Sequence, residues 1–176
     1  MRIAVAADAP AIEAIYAPVV RDSTISFEWD PPSAAEIAGR IERTRTDNYP
    51  WLVAEIDGSI ASYAYASRFR TRAAYDWTVE VSVYVDRAHQ RSGVGRLLYG
   101  ELLRVLERQG YRSAYGVMTL PNAPSEALHR ALGFTEVGRF QRVGWKFGAW
   151  YDVAVWHIAL GDGDAAPGAI APVALP

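Results

Sequence analysis

A tight turn with two glycines is the part of the sequence whose residues point most directly to chemistry. The turn joins a strand to a helix, and residues 91–96 expose backbone N–H groups where that helix begins. Unpaired donors and the helix dipole together bind anions at such a position. Gly93 and Gly95 allow the backbone to approach a bulky diphosphate because they have no Cβ, and Arg91 and Arg96 add positive charge. The turn therefore predicts a phosphate-binding site.

Two common nucleotide-binding motifs do not fit this turn. A P-loop ends in Gly-Lys-Ser/Thr, whereas the chain continues as Gly95-Arg96-Leu97. The dinucleotide fingerprint needs a third glycine three positions after the second, and that position is Leu98. A nucleotide-binding α/β protein is therefore disfavoured. An ordinary strand–helix turn with two glycines remains the alternative when the turn is considered alone.

The residues around the turn resemble those of the GNAT acetyltransferases. The string QRSGVG at residues 90–95 matches the Gln/Arg-x-x-Gly-x-Gly/Ala signature of that superfamily, whose loop holds the diphosphate of coenzyme A. A second marker lies downstream at Asn122, Ser125, His129 and Gly133-Phe134. The resemblance implies an enzyme that uses acetyl-CoA and contacts its pantetheine arm through Asn122. The implied cofactor-binding residues are Val83, Val85, Arg91, Ser92, Gly93, Val94, Gly95, Arg96, Asn122 and Ser125.

Longer strings resemble the phosphinothricin and methionine sulfoximine N-acetyltransferases. They are YPWLVAE at 49–55, AYDWTVE at 74–80, LPN at 120–122, ALGF at 131–134 and WYDV at 150–153. The matches run from about residue 2 to about residue 158, nearly the whole chain except its tail. The resemblance implies acetyl transfer to the amine of a small amino-acid-like substrate such as phosphinothricin, methionine sulfoximine or methionine sulfone. It also implies a homodimer.

The resemblance assigns catalytic roles to Glu80 and His129. Residues 77–85 alternate between apolar and polar side chains, which puts Glu80 on the polar face of a strand. A carboxylate there accepts a proton from the substrate ammonium, directly or through water, whereas a salt-bridged strand residue is the structural alternative. A neutral His129 would deprotonate the amine, and a protonated one would protonate the departing thiolate. A structural histidine is the alternative at that position.

The resemblance also implies a substrate pocket. Its residues are Phe27, Arg70, Arg72, Tyr75, Thr119 and Val153. Guanidinium groups bind a carboxylate or phosphinate through two hydrogen bonds, and a phenol adds one directed donor. The two arginines disfavour cationic substrates such as polyamines and aminoglycosides. Thr119 stands where the phosphinothricin enzymes tend to have glycine, so we expect a narrowed or redirected pocket.

Hydrophobic periodicity predicts the elements that position these residues. Asp8 offers an N-cap for one helix, and Ser33 with Glu36 forms a capping box for a second. A third helix, with the apolar stripe Val94, Leu97, Leu98, Leu102, Val105 and Leu106, ends before Gly110. A fourth helix is expected at about 123–132. Strands are expected at residues 2–5, 51–56, 59–67, 77–85, 112–120, about 134–147 and 151–160.

These elements predict one α/β (or α+β) domain over residues 1–160. The resemblance implies the GNAT fold, with a central mixed, mostly antiparallel sheet flanked by about four helices. Residues 161–176 are rich in Gly, Ala and Pro, which predicts a poorly ordered or loosely docked tail.

Composition excludes several classes of function. The 176 residues carry a formal net charge of −2, which gives no reason to expect nucleic acid or an anionic membrane as a partner. The absence of cysteine excludes a cysteine nucleophile and a Cys-ligated metal, and the three histidines lack metal-ligand spacing, so no metal is predicted. No apolar run reaches the ~18–20 residues of a membrane span or resembles a signal peptide, so the predicted location is the cytoplasm. The alternatives for the whole chain are the same chemistry on another small amine, or a non-catalytic acetyl-CoA sensor.

Overall fold

The computed structural model describes residues 1–162 and 166–175, which form a mixed sheet with helices on both faces. The strands are β1 (Arg2–Ile3), β2 (Trp51–Ile56), β3 (Ser59–Arg68), β4 (Thr78–Val85), β5 (Ser113–Thr119), β6 (Thr135–Lys146) and β7 (Ala149–Ala159). The α-helices are α1 (Ala9–Asp22), α2 (Ala34–Thr46), α3 (Val94–Gln109) and α4 (Ala123–Ala131). The strand order is β1-β2-β3-β4-β5-β7-β6, which confirms the predicted α+β architecture. None of the helices in these two stretches has the length and apolar character needed to cross a bilayer.

The two faces of the sheet have separate cores. One face packs against α3 through buried residues that include Leu52, Val79, Leu98, Leu102 and Trp156. The other face packs against α1 and α2 through residues that include Ile12, Val20, Ile41, Val53 and Tyr63. Apolar burial contributes about 25 cal/mol per Å² and holds these layers together. On this second face the middle of β5 is not covered, since Val117 remains 42 % exposed.

The neighbouring strands β4 and β5 separate along their length. They are parallel and pair only where Thr78–Glu80 face Ser113–Tyr115. Beyond these positions β4 continues beside β3, and β5 continues beside β7. Because both strands run on without pairing with each other, a cleft opens between them. Backbone groups along its edges are available to a ligand.

Helix ends agree with the sequence at α2 and differ at α1. Ser33 Oγ accepts a hydrogen bond from Glu36 N–H at 3.3 Å, and the Glu36 carboxylate accepts one from Ser33 N–H at 2.8 Å, which confirms the capping box. Asp8 precedes α1, but its side chain does not cap that helix. Its carboxylate instead accepts from Val5 N–H at 2.9 Å and pairs with Arg2 at 2.7 Å. The reason is a single 3-10 turn inserted before α1.

The inward face of α3 differs from the predicted stripe at three residues. Leu97 was expected in the core but is 63 % exposed, whereas Tyr99 and Leu103 are buried. The helix ends as predicted at Gly110, which adopts a left-handed φ of 101°. The inward stripe therefore includes a tyrosine whose hydroxyl reaches the cleft.

Residues 166–175 of the tail lie against the end of α3 and the α2–β2 connection. Trp77 Nε1 donates to the Gly168 carbonyl at 2.6 Å, and Ala171 N–H donates to the Gln109 carbonyl at 2.8 Å. Val173 packs against the α3-side core. Composition alone did not predict these contacts. The rest of the predicted tail includes residues 163–165 and 176, which lie outside the described residues.

Candidate active site

The turn between β4 and α3 presents the first N–H groups of α3 to its exterior. Gly93 caps the helix in a left-handed conformation with φ of 88°. Ser92 Oγ accepts a hydrogen bond from Val94 N–H at 3.3 Å. Within the described residues, the N–H groups of Gly95 and Arg96 have no acceptor, as expected in the first turn of a helix. They are therefore available to an anion, as the sequence predicted.

The two glycines of the turn are required for different reasons. A Cβ on Gly93 would meet nothing within 4 Å, so this residue serves the left-handed backbone. A Cβ on Gly95 would lie 2.7 Å from Val85 Cγ2. Gly95 therefore allows α3 to pack closely on β4. The sequence-based explanation, that both glycines clear space for a diphosphate, stays a prediction, and the structure adds these two backbone reasons.

A cleft lies between β4 and β5, beyond the positions where the two strands pair. Its lining is Ile25, Val81, Ser82, Val83, Tyr84, Tyr99, Val117, Met118, Asn122, Ser125 and His129. Asn122 Oδ1 accepts from Ser125 N–H at 3.2 Å and so caps α4, which leaves the Asn122 amide N–H groups free to donate. Four residues predicted for cofactor binding or catalysis thus share this cleft, namely Val83, Asn122, Ser125 and His129. Glu80 does not line it.

His129 is held by hydrogen bonds at both ring nitrogens. Its Nδ1 lies 2.8 Å from the Ser125 carbonyl, which only accepts, so Nδ1 carries the proton. Its Nε2 lies 3.2 Å from the Tyr99 hydroxyl and accepts from it in the neutral ring. Burial lowers the pKa of His129, which favours this neutral form. Gly116 makes room for the ring, because a Cβ there would overlap it.

Glu80 lies on the opposite face of β4 from the α3-side core. Side chains alternate along a strand, so Glu80 is directed away from α3. Its cross-strand neighbours are Ser67 on β3 and Tyr115 on β5. In the described part of the chain its carboxylate has no ion pair, and burial raises its pKa above the usual glutamate value. A half-buried carboxylate without a cationic partner is chemically suited to accept a proton from an amine.

The loop of residues 69–77 between β3 and β4 overhangs this face of the sheet. The ring of Phe69 stacks on Tyr115 at 4.7 Å between centroids, and Tyr75 meets Phe69 edge-on at 5.8 Å. The guanidinium of Arg70 lies 5.0 Å from the centroid of Phe69. Arg70 and Arg72 are exposed, and neither forms an ion pair with any described residue. One loop therefore carries all three residues predicted to bind an acidic group.

The remaining predicted pocket residues lie farther along the same face. Thr119 and Val153 are cross-strand neighbours on β5 and β7, and both are buried. Phe27 lies in the connection between α1 and α2 and covers Gly144 of β6, where a Cβ would overlap its ring. The structure thus brings these three residues to the sheet face that carries Glu80.

Sequence reasoning missed three aromatic residues that shape the site, and one lysine. Tyr99 and Tyr115 lie within a helix and a strand, and Phe69 directly follows β3, so nothing in their spacing distinguishes them from core residues. Lys146 did offer a signal, because it is the only lysine in the chain and lies within an aromatic strand.

Sequence comparison relates the chain to known enzymes. Residues 1–155 match the profile of the acetyltransferase (GNAT) domain. The phosphinothricin N-acetyltransferase of Streptomyces viridochromogenes is 46 % identical over 157 residues, which cover 89 % of this chain and 85 % of that protein. The L-methionine sulfoximine/L-methionine sulfone acetyltransferase of Salmonella typhimurium is 34 % identical over 169 residues, which cover 96 % of this chain and 98 % of that protein.

Structural comparison agrees with the sequence. The crystal structure of a GNAT superfamily phosphinothricin acetyltransferase from Sinorhizobium meliloti in complex with acetyl-CoA superposes with a TM-score of 0.91. The two chains are 38 % identical, and the match covers 95 % of this chain and 91 % of that one. These comparisons confirm the resemblance that the motifs indicated.

Proposed function

The chain belongs to the GNAT acetyltransferase family, and from this premise we propose that it transfers the acetyl group of acetyl-CoA to the primary amine of phosphinothricin, methionine sulfoximine or methionine sulfone. One observation carries the proposal. Among the described residues the Glu80 carboxylate has no ion pair, and it lies on the sheet face overhung by a loop with the exposed guanidinium groups of Arg70 and Arg72. Its neighbour Val81 lines the β4–β5 cleft. The carboxylate is suited to the ammonium group of such a substrate, and the guanidinium groups are suited to its acidic end.

Acetyl-CoA binds, in this proposal, along the turn and the β4–β5 cleft. The N–H groups of residues 91–96 hold the diphosphate at the positive end of α3, with Arg91 and Arg96 beside it. The support is the pair of N–H groups without acceptors at Gly95 and Arg96. Val83, Val85 and Ser125 border the arm, and the amide of Asn122 donates to it.

The reaction that we propose is a direct attack. Glu80 removes a proton from the substrate ammonium, directly or through one water, and the free amine attacks the acetyl carbonyl carbon. A backbone N–H at Val81 or Ser82, where β4 has no β5 partner, stabilises the oxyanion. The C–S bond then breaks, and the extra proton of the attacking nitrogen passes, directly or through water, to the departing coenzyme A thiolate, which leaves the amide and the free thiol. The chain has no cysteine, so no acetyl-cysteine intermediate forms.

His129 acts, in this proposal, through Tyr99 rather than by touching the amine. Its ring is 5 % exposed, and its Nε2 faces the Tyr99 hydroxyl. The lowered pKa of His129 argues against an imidazolium donor at neutral pH. A neutral ring that accepts a hydrogen bond from Tyr99 orients that hydroxyl at the cleft.

A homodimer is the assembly that we propose. The β6–β7 hairpin exposes six large apolar side chains, each between 46 % and 57 % accessible: Val137, Phe140, Val143, Trp145, Phe147 and Trp150. An apolar patch of this kind at a sheet edge is typical of a subunit interface, and a second copy supplies a matching surface under two-fold symmetry. Light scattering should give twice the chain mass, and Trp145→Glu should give the monomer. A monomeric wild type at micromolar concentration would contradict the homodimer.

The cytoplasm is the location that we propose, because a chain without cysteine needs no oxidising compartment. The proposed reaction requires no metal ion, nucleic acid or membrane surface.

Acetyl-CoA-dependent thiol release against a panel of amines tests the proposal. The panel contains phosphinothricin, methionine sulfoximine, methionine sulfone, common amino acids, a polyamine and an aminoglycoside. We expect turnover confined to the acidic amino acid analogues, and a loss of about ten-fold or more in kcat/KM on Arg72→Ala. Turnover only with cationic amines would contradict the assigned pocket. Tight acetyl-CoA binding without turnover of any amine would favour a sensor.

A further inference from the structure

Lys146 is the only lysine in the chain, and it is 2 % exposed. Its Nζ donates to two backbone carbonyls, Val20 O and Ser26 O, each at 2.7 Å. Val20 lies in the last turn of α1, where carbonyls lack helical partners and a cation is favoured. Ser26 lies in residues 23–33, the connection between α1 and α2, which we call the α1–α2 loop. One ammonium group on the sheet thus ties the end of a helix to the loop that follows it.

The α1–α2 loop is also held from the opposite side. The hydroxyls of Ser26 and Tyr16 are 2.7 Å apart. The Glu28 carboxylate accepts two hydrogen bonds from Arg40, at 2.8 Å and 2.9 Å, and a third from Tyr16 at 2.9 Å. Ser26 and Glu28 are the two neighbours of Phe27. The backbone on either side of Phe27 is therefore held by residues of α1, α2 and β6.

Phe27 is directed at the strand that carries the lysine. Its ring covers Gly144, where a Cβ would overlap it. Gly144 precedes Lys146 by two residues, so both face the same side of β6. The strand β6 thus supplies Gly144 as a flat surface under the Phe27 ring. It also supplies the ammonium group of Lys146, which binds the backbone of the α1–α2 loop. The burial of an ammonium group costs free energy unless the group is well hydrogen-bonded. One of the two acceptors of Lys146 is in the α1–α2 loop, so the loop must keep this position for the ammonium group to stay satisfied.

We propose that Lys146 is a positioning residue that holds Phe27 in place as a wall of the amine pocket. The proposal rests on the proposed function, because Phe27 is a pocket residue only if the amine binds on this face. Lys146 does not touch the substrate; it acts by holding the loop. Releasing the loop should therefore weaken amine binding more than acetyl-CoA binding, because the loop contributes only Ile25 to the β4–β5 cleft, and the diphosphate site of residues 91–96 lies on another loop.

Two variants release the loop by independent routes. Lys146→Met removes both hydrogen bonds at similar volume, and Gly144→Ala displaces the ring but keeps the lysine. Each should raise KM for the amine about ten-fold, and change kcat and the KM of acetyl-CoA less than about three-fold. Lys146→Arg keeps charge and donors and should retain more of the amine affinity than Lys146→Met. Gly138→Ala is the matched control, because Gly138 lies on the same strand and a Cβ there would meet nothing within 4 Å.

Equal increases in the KM values of amine and acetyl-CoA, or an unchanged KM for the amine in both variants, would overturn the proposal. If Lys146→Met does not fold, the lysine side-chain signals of Gly144→Ala and Phe27→Ala decide the matter, since both variants keep Lys146 and show whether the ring and the lysine are coupled.

A second measurement does not depend on activity. Protein labelled with ¹³C at lysine gives one lysine side-chain set, because Lys146 is the only lysine. Its signals should shift in Gly144→Ala and Phe27→Ala but not in Gly138→Ala, and amide exchange in residues 23–33 should accelerate in Lys146→Met. Unchanged amide exchange in the α1–α2 loop would overturn the positioning role of Lys146 even if the wild type acetylates amines. Faster amide exchange in this loop with no turnover of any amine would support the hold of Lys146 on the loop and contradict the proposed function.

Discussion

Burial shifts the pKa values of Glu80 and His129 in opposite directions, and each shift favours the neutral form of the side chain. It raises the pKa of Glu80 and lowers the pKa of His129, because a low-dielectric environment disfavours the charged form of either group. Neither side chain has a counter-ion among the described residues. The burial of the ionised Glu80 carboxylate therefore lowers the free energy of unfolding, and the same burial makes the carboxylate a better proton acceptor.

Glu80→Gln should separate chemistry from stability. We expect kcat to fall about 10²–10⁴-fold, with the dissociation constant of acetyl-CoA changed less than two-fold. Because the folded pKa is raised, the folded state binds more protons than the unfolded state as pH rises above 4.5, and the wild type loses stability over that range. The variant should lack this loss and melt at a higher temperature at pH 7 by differential scanning fluorimetry. Glu13→Gln on α1 is the control, and near-wild-type turnover of Glu80→Gln would exclude Glu80 as the base.

His129→Gln should flatten the acid side of the stability profile. The folded pKa lies below 6.5, so the stability that neutral His129 contributes is present above pH 6.5 and is lost as pH falls through the folded value. Urea unfolding at about pH 7.5 and 5.5 should show a smaller decrease for the variant than for the wild type. The pKa of His157 is lowered by burial as well, but this residue is more exposed, so His157→Gln should flatten the profile less. An equal or larger effect at His157 would contradict this ranking.

At the scale of elements, the site depends on how closely α3 approaches β4. The first turn of α3 supplies the N–H groups that we propose for the diphosphate, and Tyr99 on the same helix reaches both Val81 O, at 3.4 Å, and His129. Gly95 sets this approach, because Val85 Cγ2 occupies the space that a Cβ would need. One contact thus controls both the coenzyme site and the hydroxyl in the cleft.

Gly95→Ala should move α3 away from β4 and raise KM for acetyl-CoA about ten-fold, since overpacking of this kind costs about 1–3 kcal/mol. Adding Val85→Ala should restore much of the loss, because it removes the Cγ2 atom that the new Cβ would meet. A double-mutant cycle on KM and on the free energy of unfolding measures the coupling. Additive effects would mean that Gly95 is needed for some other reason.

At the scale of the whole molecule, residues 166–175 of the tail pack against the end of α3 and the connection between α2 and β2. Asn48 donates to the Ala171 carbonyl and accepts from Val173 N–H, both at 3.0 Å. Ile170, Val173 and Leu175 pack on the same core as α3. These contacts lie away from Glu80 and the cleft, so we expect them to affect stability rather than turnover.

Val173→Asp should lower the free energy of unfolding by about 1–3 kcal/mol, because it buries a carboxylate against apolar side chains. Ala174→Asp is the control at the adjacent exposed position. Chemical denaturation measures the difference, and kcat should remain near that of the wild type in both. Equal stability of the two variants would show that the tail does not contribute to the core.

The sequence by itself determined the family, the order of helices and strands, the capping box, the Gly110 cap and the glycine turn with its exposed N–H groups. These features are local, since a glycine, a cap or an alternating pattern acts within a few residues of itself. The same local information indicated Glu80 as the one charged residue on the polar face of an alternating strand. It also assigned Leu97 to the wrong side of α3, because a helical stripe does not show which of its edges meets the sheet.

Only the tertiary structure decided what surrounds each candidate. It separated β4 from β5, directed Glu80 and the α3-side core to opposite faces, and locked His129 between Ser125 and Tyr99. It also brought Lys146 to the α1–α2 loop, more than 100 residues earlier in the chain. Such contacts depend on the packing of distant segments, and packing follows from shape and burial rather than from spacing along the chain.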